Sequence, residues 1–364
     1  MKKILIASYN LGYGGIETSL VNLIKNMDLK KYDITLVLEK KEGVFLKDLP
    51  KEINIKEYRV SNCKNIFIRK FLNLLKRVKW IFNNYNKYDS SICYATYSGP
   101  CGFAARTTSK NRILYIHSNY YEAFGRDKSK TLNFFNNLKI NNYEHLVFVS
   151  NEVKNDLINL FPNIKDKSIT INNLIDCKKI IDLSKKDIDI IKDDKKVFLF
   201  VGRLDESSKR LTSLLEVAKK CKEKQKKCMF WVLGTGPDEQ MYKKIAKDNT
   251  LNNVIFFGAK KNPYPYIKLC DYVILTSYYE GFPVVYNESI ILNKPIITTV
   301  DVSDEVISIN NRFGIVCKKD VNSIYKTILN VLKKDFIINE KVNFESINKN
   351  RVKLIEEILE SKND

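Results

Sequence analysis

The chain has 364 residues, of which 44% are hydrophobic, so it is long enough for two domains that each bury a core. No run of 18 apolar residues is present, which excludes a membrane-spanning helix. Residues 3–9 begin directly as a strand and do not resemble a signal peptide, so we expect a cytoplasmic location. The net charge is +20, but 52 of the 62 basic residues are lysine. Because base readout depends heavily on arginine, we expect no nucleic-acid partner.

Metal-binding residues are scarce or scattered along the chain. There are eight cysteines without a C-x-x-C pair, and only two histidines. This composition disfavours a zinc site. One D-x-D sequence, Asp187-Ile-Asp189, lies in a polar stretch and does not follow a strand. We therefore expect neither a metal site nor a bound cofactor.

Short apolar runs rich in Val, Ile and Phe alternate with longer amphipathic stretches. Thirteen such runs predict strands, at residues 4–9, 34–38, 53–60, 92–97, 113–117, 146–149, 169–171, 197–201, 229–233, 254–257, 272–276, 296–300 and 314–317. Strands that are apolar along their whole length indicate parallel sheets covered on both faces. Each half of the chain therefore predicts one doubly wound α/β domain.

The polar stretch within residues 172–195 marks the expected boundary between the two domains. We expect an N-terminal domain over residues 1–180 and a C-terminal domain over residues 190–343. Residues 344–364 contain a last helix, because their apolar positions are spaced approximately as one helical face.

Glycine-rich turns follow the first strand of the first half and the second strand of the second half. Gly14 and Gly15 open a helix, where backbone N–H groups favour an anion, although a plain turn explains them equally simply. Gly234 and Gly236 end another strand and allow either close approach of a ligand or an ordinary turn before a helix. His117 also ends a strand, where it could hydrogen-bond a substrate or serve a structural role.

Two cations are predicted near the carboxyl end of the strand at residues 197–201. Arg203 and Lys209 lie in the predicted strand-to-helix loop, at the edge where open α/β sheets bind ligands. An arginine fork and a lysine point charge suit a diphosphate, whereas a lysine-rich protein also presents such residues in solvated loops.

The most specific motif runs from Glu280 through Gly281-Phe282-Pro283 to Glu288. Gly281 and Phe282 precede a helix, so their N–H groups can hold phosphate oxygens. An acidic side chain beside an anion-binding helix start suits a ligand that has both hydroxyls and phosphates. Glu280 then accepts from sugar hydroxyls, and Glu288 grips a ribose diol.

Taken in chain order, these motifs resemble the retaining glycosyltransferase family 4, of the type that builds bacterial polysaccharides and lipid-linked glycans. The resemblance covers almost the whole chain. It implies the GT-B fold, in which two Rossmann-like domains face each other across a cleft, with the last helix crossing back to the N-terminal domain. The implied reaction is metal-independent transfer, with retention of configuration, of a hexosyl or N-acetylhexosaminyl group. The implied donor is a nucleotide sugar, most simply a UDP-sugar.

The resemblance also implies roles for individual residues. Arg203 and Lys209 would neutralise the donor diphosphate, Gly15 would lie against it, and His117 would contact the donor sugar. Two departures from the family pattern stand beside this site: Ser289 replaces a usual alanine, and Arg210 replaces a glycine found in many members. Alternative functions are another GT-B enzyme, such as a nucleotide-sugar epimerase or a phosphorylase, and a non-catalytic subunit of a glycosylation complex.

The segment 63–88 has seven basic residues, no acidic residue and many interspersed apolar side chains. It predicts a basic amphipathic helix, and two placements are open. The helix could lie on an anionic membrane surface and bring the protein to a lipid-linked saccharide acceptor, as in capsule or lipopolysaccharide synthesis. Alternatively, its apolar side could face the core of the N-terminal domain, leaving only a basic outer face.

Overall fold

The computed structural model describes residues 1–190, 192–301 and 309–361. The chain forms two compact units. Unit 1 comprises Met1–Leu174 and the chain from Ser346 onward, and unit 2 comprises Ile175–Glu345. Residues 175–180, which the sequence predicts in the first domain, thus lie in unit 2. The helix Cys177–Ser184 packs there against two later helices of the same unit.

Unit 1 contains a parallel sheet of seven strands within the described residues, in the order β3-β2-β1-β4-β5-β6-β7. The strands are β1 (Lys2–Ser8), β2 (Tyr32–Leu38), β3 (Asn54–Glu57), β4 (Ser90–Cys93), β5 (Asn111–Ile116), β6 (His145–Phe148) and β7 (Ser168–Thr170). The helices between them are α1 (Gly15–Asn26), α2 (Ile66–Asn84), α3 (Gly99–Arg106), α4 (Tyr120–Ala123), α5 (Lys128–Asn137) and α6 (Asn151–Leu160). The seven predicted runs are confirmed as strands.

Both faces of the first sheet are covered by apolar side chains. Ile4 and Ile6 belong to one buried cluster, whereas Leu5 and Ala7 belong to another. Because successive residues of a strand point to opposite faces, these clusters lie on the two sides of the sheet. The predicted strands 53–60 and 92–97 are nevertheless too long. Tyr58 and Tyr94 stay buried beyond the ends of β3 and β4, so hydrophobicity continues after the hydrogen-bonded ladder has ended.

Unit 2 repeats this architecture with six described strands in the order β10-β9-β8-β11-β12-β13, all paired in parallel. They are β8 (Lys196–Val201), β9 (Cys228–Leu233), β10 (Val254–Gly258), β11 (Tyr272–Leu275), β12 (Ile296–Thr298) and β13 (Gly314–Val316). Its helices are α7 (Cys177–Ser184), α8 (Glu206–Lys209), α9 (Leu211–Glu223), α10 (Glu239–Asp248), α11 (Tyr264–Leu269), α12 (Val284–Ile291) and α13 (Val321–Lys333). The predicted pair of doubly wound domains is therefore confirmed.

The last helix, α14 (Phe344–Glu360), completes unit 1. Ile355 and Leu359 are buried in the same cluster as Ile4 and Ile6. Near the start of the helix, the buried Arg351 donates from Nη1 to the main-chain oxygen of Asn173, at 2.8 Å. Apolar packing and a charge-assisted hydrogen bond therefore fix the end of the chain to the N-terminal sheet.

We predict that Arg351→Ala lowers the free energy of unfolding of unit 1 by about 2–3 kcal/mol, because it removes a buried charge-assisted hydrogen bond and the packing of a buried side chain. Urea unfolding followed by Trp80 emission, in a Trp231→Phe background, reports on unit 1. The exposed Lys349 of the same helix provides the control: Lys349→Ala should change the value by less than about 0.5 kcal/mol. Equal effects of the two substitutions would contradict the prediction.

Candidate active site

The segment after β8 carries the two predicted cations. Arg203 lies in the loop, as the sequence predicts, and its side chain is 69% exposed, with Asp205 3.8 Å away. Lys209 does not lie in a loop. It ends the one-turn helix α8, which the Asp205 side chain caps by accepting from the Ser207 N–H. Four residues are too few to give a helical period in the sequence, so this helix escaped prediction.

Lys209 is bound directly to Glu280. Lys209 Nζ lies 2.6 Å from Glu280 Oε1, and these side chains are only 20% and 8% exposed. The Ser277 hydroxyl donates to the same carboxylate oxygen, and the main-chain N–H of Tyr278 donates to the oxygen of Ser208 at 2.8 Å. The loop after β11 is thereby attached to the end of α8. A pair this deeply buried leaves an uncompensated charge when either partner is removed.

Arg210 follows Lys209 in the left-handed conformation, with φ 49°. This region favours glycine, which explains in backbone terms why glycine suits the position in the family that the sequence resembles. Here the side chain compensates with contacts. The Arg210 guanidinium lies 4.9 Å from the centre of the Tyr278 ring and donates to the main-chain oxygen of Lys319. Arg210 is thus buried and packed on the loop that contains Glu280.

Gly234 and Gly236 lie against the backbone of the neighbouring loop. A Cβ atom would stand 1.8 Å from Gly202 O at Gly234 and 2.2 Å from Leu204 O at Gly236. Gly234 also has φ +141°, a region that side chains disfavour. The two loops are bonded as well, since the Leu204 N–H donates to Thr235 O at 3.0 Å. The packing of two strand ends therefore requires both glycines, whatever ligand they also approach.

Glu280, Gly281 and Phe282 form the approach to α12, as the sequence predicts, with Pro283 as its capping residue. All three are buried. Glu288 lies on α12 and is also buried, beside Tyr264 and Lys179. Burial raises the pKa of the Glu288 carboxyl to about 7, although a hydrogen bond from Tyr264 and the charge of Lys179 oppose this shift. The two glutamates thus differ. Glu280 forms an ion pair with Lys209, whereas burial brings the pKa of Glu288 close to neutral pH.

Asn287 is a polar residue of α12 that sequence reasoning missed. It is completely buried, and neither its amide oxygen nor its amide nitrogen has a hydrogen-bond partner among the described residues. The signal was available, because Asn287 stands with Glu288 and Ser289 as polar residues in a buried helix that is otherwise largely apolar. Buried amides normally have hydrogen-bond partners, so Asn287 is an exception that marks this part of α12.

In unit 1, His117 directly follows β5, as predicted. Its ring packs against Tyr94, with ring centres 4.4 Å apart. Burial lowers the pKa of His117 to about 3, although a hydrogen bond with the Tyr94 backbone opposes this shift, so the imidazole is neutral at physiological pH. A neutral imidazole can donate one hydrogen bond and accept another, but it does not supply a ready proton.

Gly14 and Gly15 stand where β1 gives way to α1, which begins at Gly15. The backbone of Gly14 is extended, so its φ angle does not require glycine. A Cβ atom there would lie 2.1 Å from Glu17 Oε2, at the end of a flexible side chain that can move aside, so the packing does not require glycine either. Glu17 thus lies against the glycine turn. No group of three or more His, Cys, Asp or Glu side chains suited to a metal ion occurs in the described ranges.

Two family models match successive parts of the chain. The model described as "Glycosyltransferase Family 4" matches residues 13–179, and "Glycosyl transferases group 1" matches residues 183–351. The chain is a glycosyltransferase. The boundary between the matches falls in the polar stretch between the two sheets, and each sheet-and-helix unit corresponds to one model.

Individual relatives are distant. A Campylobacter jejuni N-acetylgalactosamine-N,N'-diacetylbacillosaminyl-diphospho-undecaprenol 4-alpha-N-acetylgalactosaminyltransferase is 24% identical over 92% of this chain and 91% of its own length. An uncharacterized glycosyltransferase of Methanocaldococcus jannaschii is 27% identical, but the match spans 51% of this chain and only 47% of that protein. The structure of Anabaena HepE in complex with UDP and glucose has a TM-score of 0.75 and 15% identity, covering 98% of this chain and 100% of HepE. This structural similarity establishes the GT-B fold.

The raised pKa of Glu288 predicts a pH-dependent stability. A carboxyl with a folded pKa of about 7 and an unfolded value of 4.5 stabilises unit 2 fully below pH 4.5, and this stabilisation is lost as the pH rises through 7. Glu288→Gln removes the effect. Relative to the wild type, the variant should therefore gain about 2.5 kcal/mol in free energy of unfolding between pH 5 and pH 8.

The measurement is urea unfolding without nucleotide, followed by Trp231 emission in a Trp80→Phe background. The exposed Glu216 of α9 supplies the matched control, and Glu216→Gln should show no comparable trend with pH. A constant difference between wild type and Glu288→Gln across this range would contradict the pKa assignment.

Proposed function

We propose that the protein transfers a hexosyl or N-acetylhexosaminyl group from a UDP-sugar to a saccharide or lipid-linked acceptor, with retention of configuration and without a metal ion. The observation that carries the proposal is the Lys209–Glu280 pair at the carboxyl end of the second sheet. It combines a cation suited to phosphate with a carboxylate suited to hydroxyls, and the exposed Arg203 lies in the same connection. The UDP bound to HepE supports the choice of donor base.

The proposal assigns one part of the donor to each group in unit 2. Arg203 has a mobile, exposed fork that can close on the diphosphate, and Lys209 adds a fixed charge beside it. Glu280 accepts from hydroxyls of the transferred sugar while keeping its contact with Lys209. The main-chain N–H groups near Gly281 and Phe282 approach the phosphates, and Glu288 binds the ribose diol. A ribose hydroxyl that donates to Glu288 favours the ionised carboxyl, so donor binding should lower its pKa.

In the proposed reaction, the bond from the anomeric carbon to the diphosphate oxygen breaks, and a bond to the acceptor oxygen forms on the same face of the sugar. The acceptor hydroxyl gives its proton to an oxygen of the departing diphosphate. Arg203 and Lys209 stabilise the negative charge that accumulates on this leaving group. The neutral imidazole of His117 hydrogen-bonds a saccharide hydroxyl, which its position directly after the end of β5 supports.

For the acceptor, we propose a glycan carried on a lipid, in a polysaccharide, capsule or lipopolysaccharide pathway at the inner face of the cell membrane. The Campylobacter jejuni relative supports this, since its name specifies a diphospho-undecaprenol acceptor. The protein would then be cytoplasmic and attached peripherally.

Donor binding is tested by thermal shift with UDP-glucose, UDP-galactose, UDP-N-acetylglucosamine, UDP-N-acetylgalactosamine and GDP-mannose. At a concentration about 100 times the Kd, the cognate donor should stabilise the protein by about 2.7 kcal/mol, a shift of several degrees. Arg203→Ala should abolish this shift without changing the melting temperature of the free protein, because the side chain is exposed. The control Lys224→Ala changes an exposed cation of the same unit and should retain the full shift. Identical donor responses from wild type and Arg203→Ala would refute the site.

The reaction type is tested by product analysis with the donor that gives the shift. We expect transfer that requires an acceptor, continues undiminished in EDTA, and yields a product whose anomeric configuration, determined by NMR, matches that of the donor. Epimerised donor formed without any acceptor would instead show an epimerase. Dependence on added inorganic phosphate would show a phosphorylase. Donor binding without turnover would favour a non-catalytic subunit.

A further inference from the structure

The helix α2 (Ile66–Asn84) is attached to unit 1 by a narrow face. Trp80 is buried and packs against Tyr58, with ring centres 4.8 Å apart. Two turns earlier, the Asn73 side chain accepts from the main-chain N–H of Ser61 at 2.7 Å. Asn84 is buried as well, and these three positions fall on one side of the helix. The face turned toward the protein therefore has one buried aromatic ring and two amides, and Lys76 beside them donates to Arg59 O at 2.9 Å.

The opposite face of α2 is apolar and exposed to solvent. At 100° per residue, its members form a continuous stripe centred almost opposite Trp80: Phe67, Phe71, Leu74, Leu75, Val78, Ile81 and Phe82. Phe67 is 80% exposed and Phe82 is 86% exposed. The first placement left open by the sequence is thus favoured over the second, because the apolar side of the helix does not enter the core of unit 1.

Cations border this stripe on both sides. Lys70 lies along one edge and Lys79 along the other, whereas the Arg77 guanidinium packs 5.2 Å from the centre of the Phe103 ring of unit 1. Residues 63–88 contain seven basic side chains and no acidic one. An apolar stripe flanked by cations fits the interfacial region of a bilayer. There the apolar side chains enter the acyl region, and the cations remain among the lipid phosphates.

We infer that α2 is a docking surface for an anionic lipid membrane, on which the helix lies parallel to the bilayer plane. The inference deepens the proposed membrane location and rests on it for its biological purpose, but its physical argument uses α2 alone. Stripe residues such as Phe71 and Phe82 insert between lipids, and cations such as Lys70 and Lys79 bind lipid phosphates. Trp80 keeps the helix on the protein.

Charge decides between a membrane and a second copy of the chain. If two copies paired through this helix, two segments that have basic but no acidic side chains would meet at an apolar contact. Their like charges would repel strongly there. An anionic bilayer instead attracts each basic side chain of the same segment. Within the part of the chain that the structure describes, no helix has the length and hydrophobicity needed to cross a membrane.

The test is flotation of the full-length protein with vesicles of phosphatidylglycerol and phosphatidylethanolamine, compared with vesicles of phosphatidylcholine. We expect binding to the anionic vesicles only. The triple variant F71S/L75S/F82S and the triple variant R69Q/K70Q/K79Q should each bind at least about tenfold more weakly. A control with the same loss of charge, K224Q/K226Q/K247Q, changes exposed lysines of unit 2 and should bind as the wild type does.

Circular dichroism and the donor-dependent thermal shift, measured on every variant, separate this inference from the proposed function. An unchanged donor shift with lost vesicle binding supports docking through α2. Equal binding by the wild type and both α2 variants overturns the inference, even if sugar transfer is intact. Light scattering that shows a dimer without vesicles, converted to a monomer by F71S/L75S/F82S, also overturns it and makes α2 a protein interface.

Discussion

The ion pair between Lys209 and Glu280 connects the two strand ends on which the proposed donor site depends. Each residue belongs to a separate connection at the carboxyl edge of the second sheet, and α8 and the loop after β11 are held by the pair and by the Tyr278–Ser208 hydrogen bond. Two charges with little exposure hold a definite geometry only while both are present. Arg210 reinforces this arrangement by packing on Tyr278 in a backbone conformation that is itself unfavourable. The site is thus preorganised before any donor arrives.

The same arrangement gives the proposed site one cation held by an ion pair and one exposed cation. Lys209 is immobilised by Glu280, whereas Arg203 is largely exposed and has only a loose contact with Asp205. The charge of Lys209 has a defined position that contributes to ligand selection. The exposed Arg203 side chain has room to adjust as negative charge develops on the leaving group. Glu288 differs from these cations because the pKa of its carboxyl is about 7. A ligand hydroxyl that donates to this carboxyl can therefore change its protonation state.

The fold could be predicted from the sequence because parallel strands buried on both faces are apolar along their whole length, and all thirteen runs became strands. The predicted strand ends were too late where buried side chains continue beyond the last inter-strand hydrogen bond, as at Tyr58 and Tyr94. The motif from Glu280 to Glu288 predicted a loop followed by a helix start. Its contact with Lys209 could not be predicted, because 71 residues separate the partners and only the tertiary fold brings them together. For α2, periodicity revealed two faces, but not which one would meet the protein.

The position of α14 has a consequence for how the molecule is made. The core around Ile4 and Ile6 includes Ile355 and Leu359, so β1 is completed by a helix that follows unit 2 in the chain. The described strands and helices of unit 2 all precede α14, so unit 2 can fold during synthesis before the core of unit 1 is complete. During this interval one face of the nascent N-terminal sheet exposes apolar surface. Unit 1 therefore contains β1, which is translated before unit 2, but its core is completed only after unit 2 has been made.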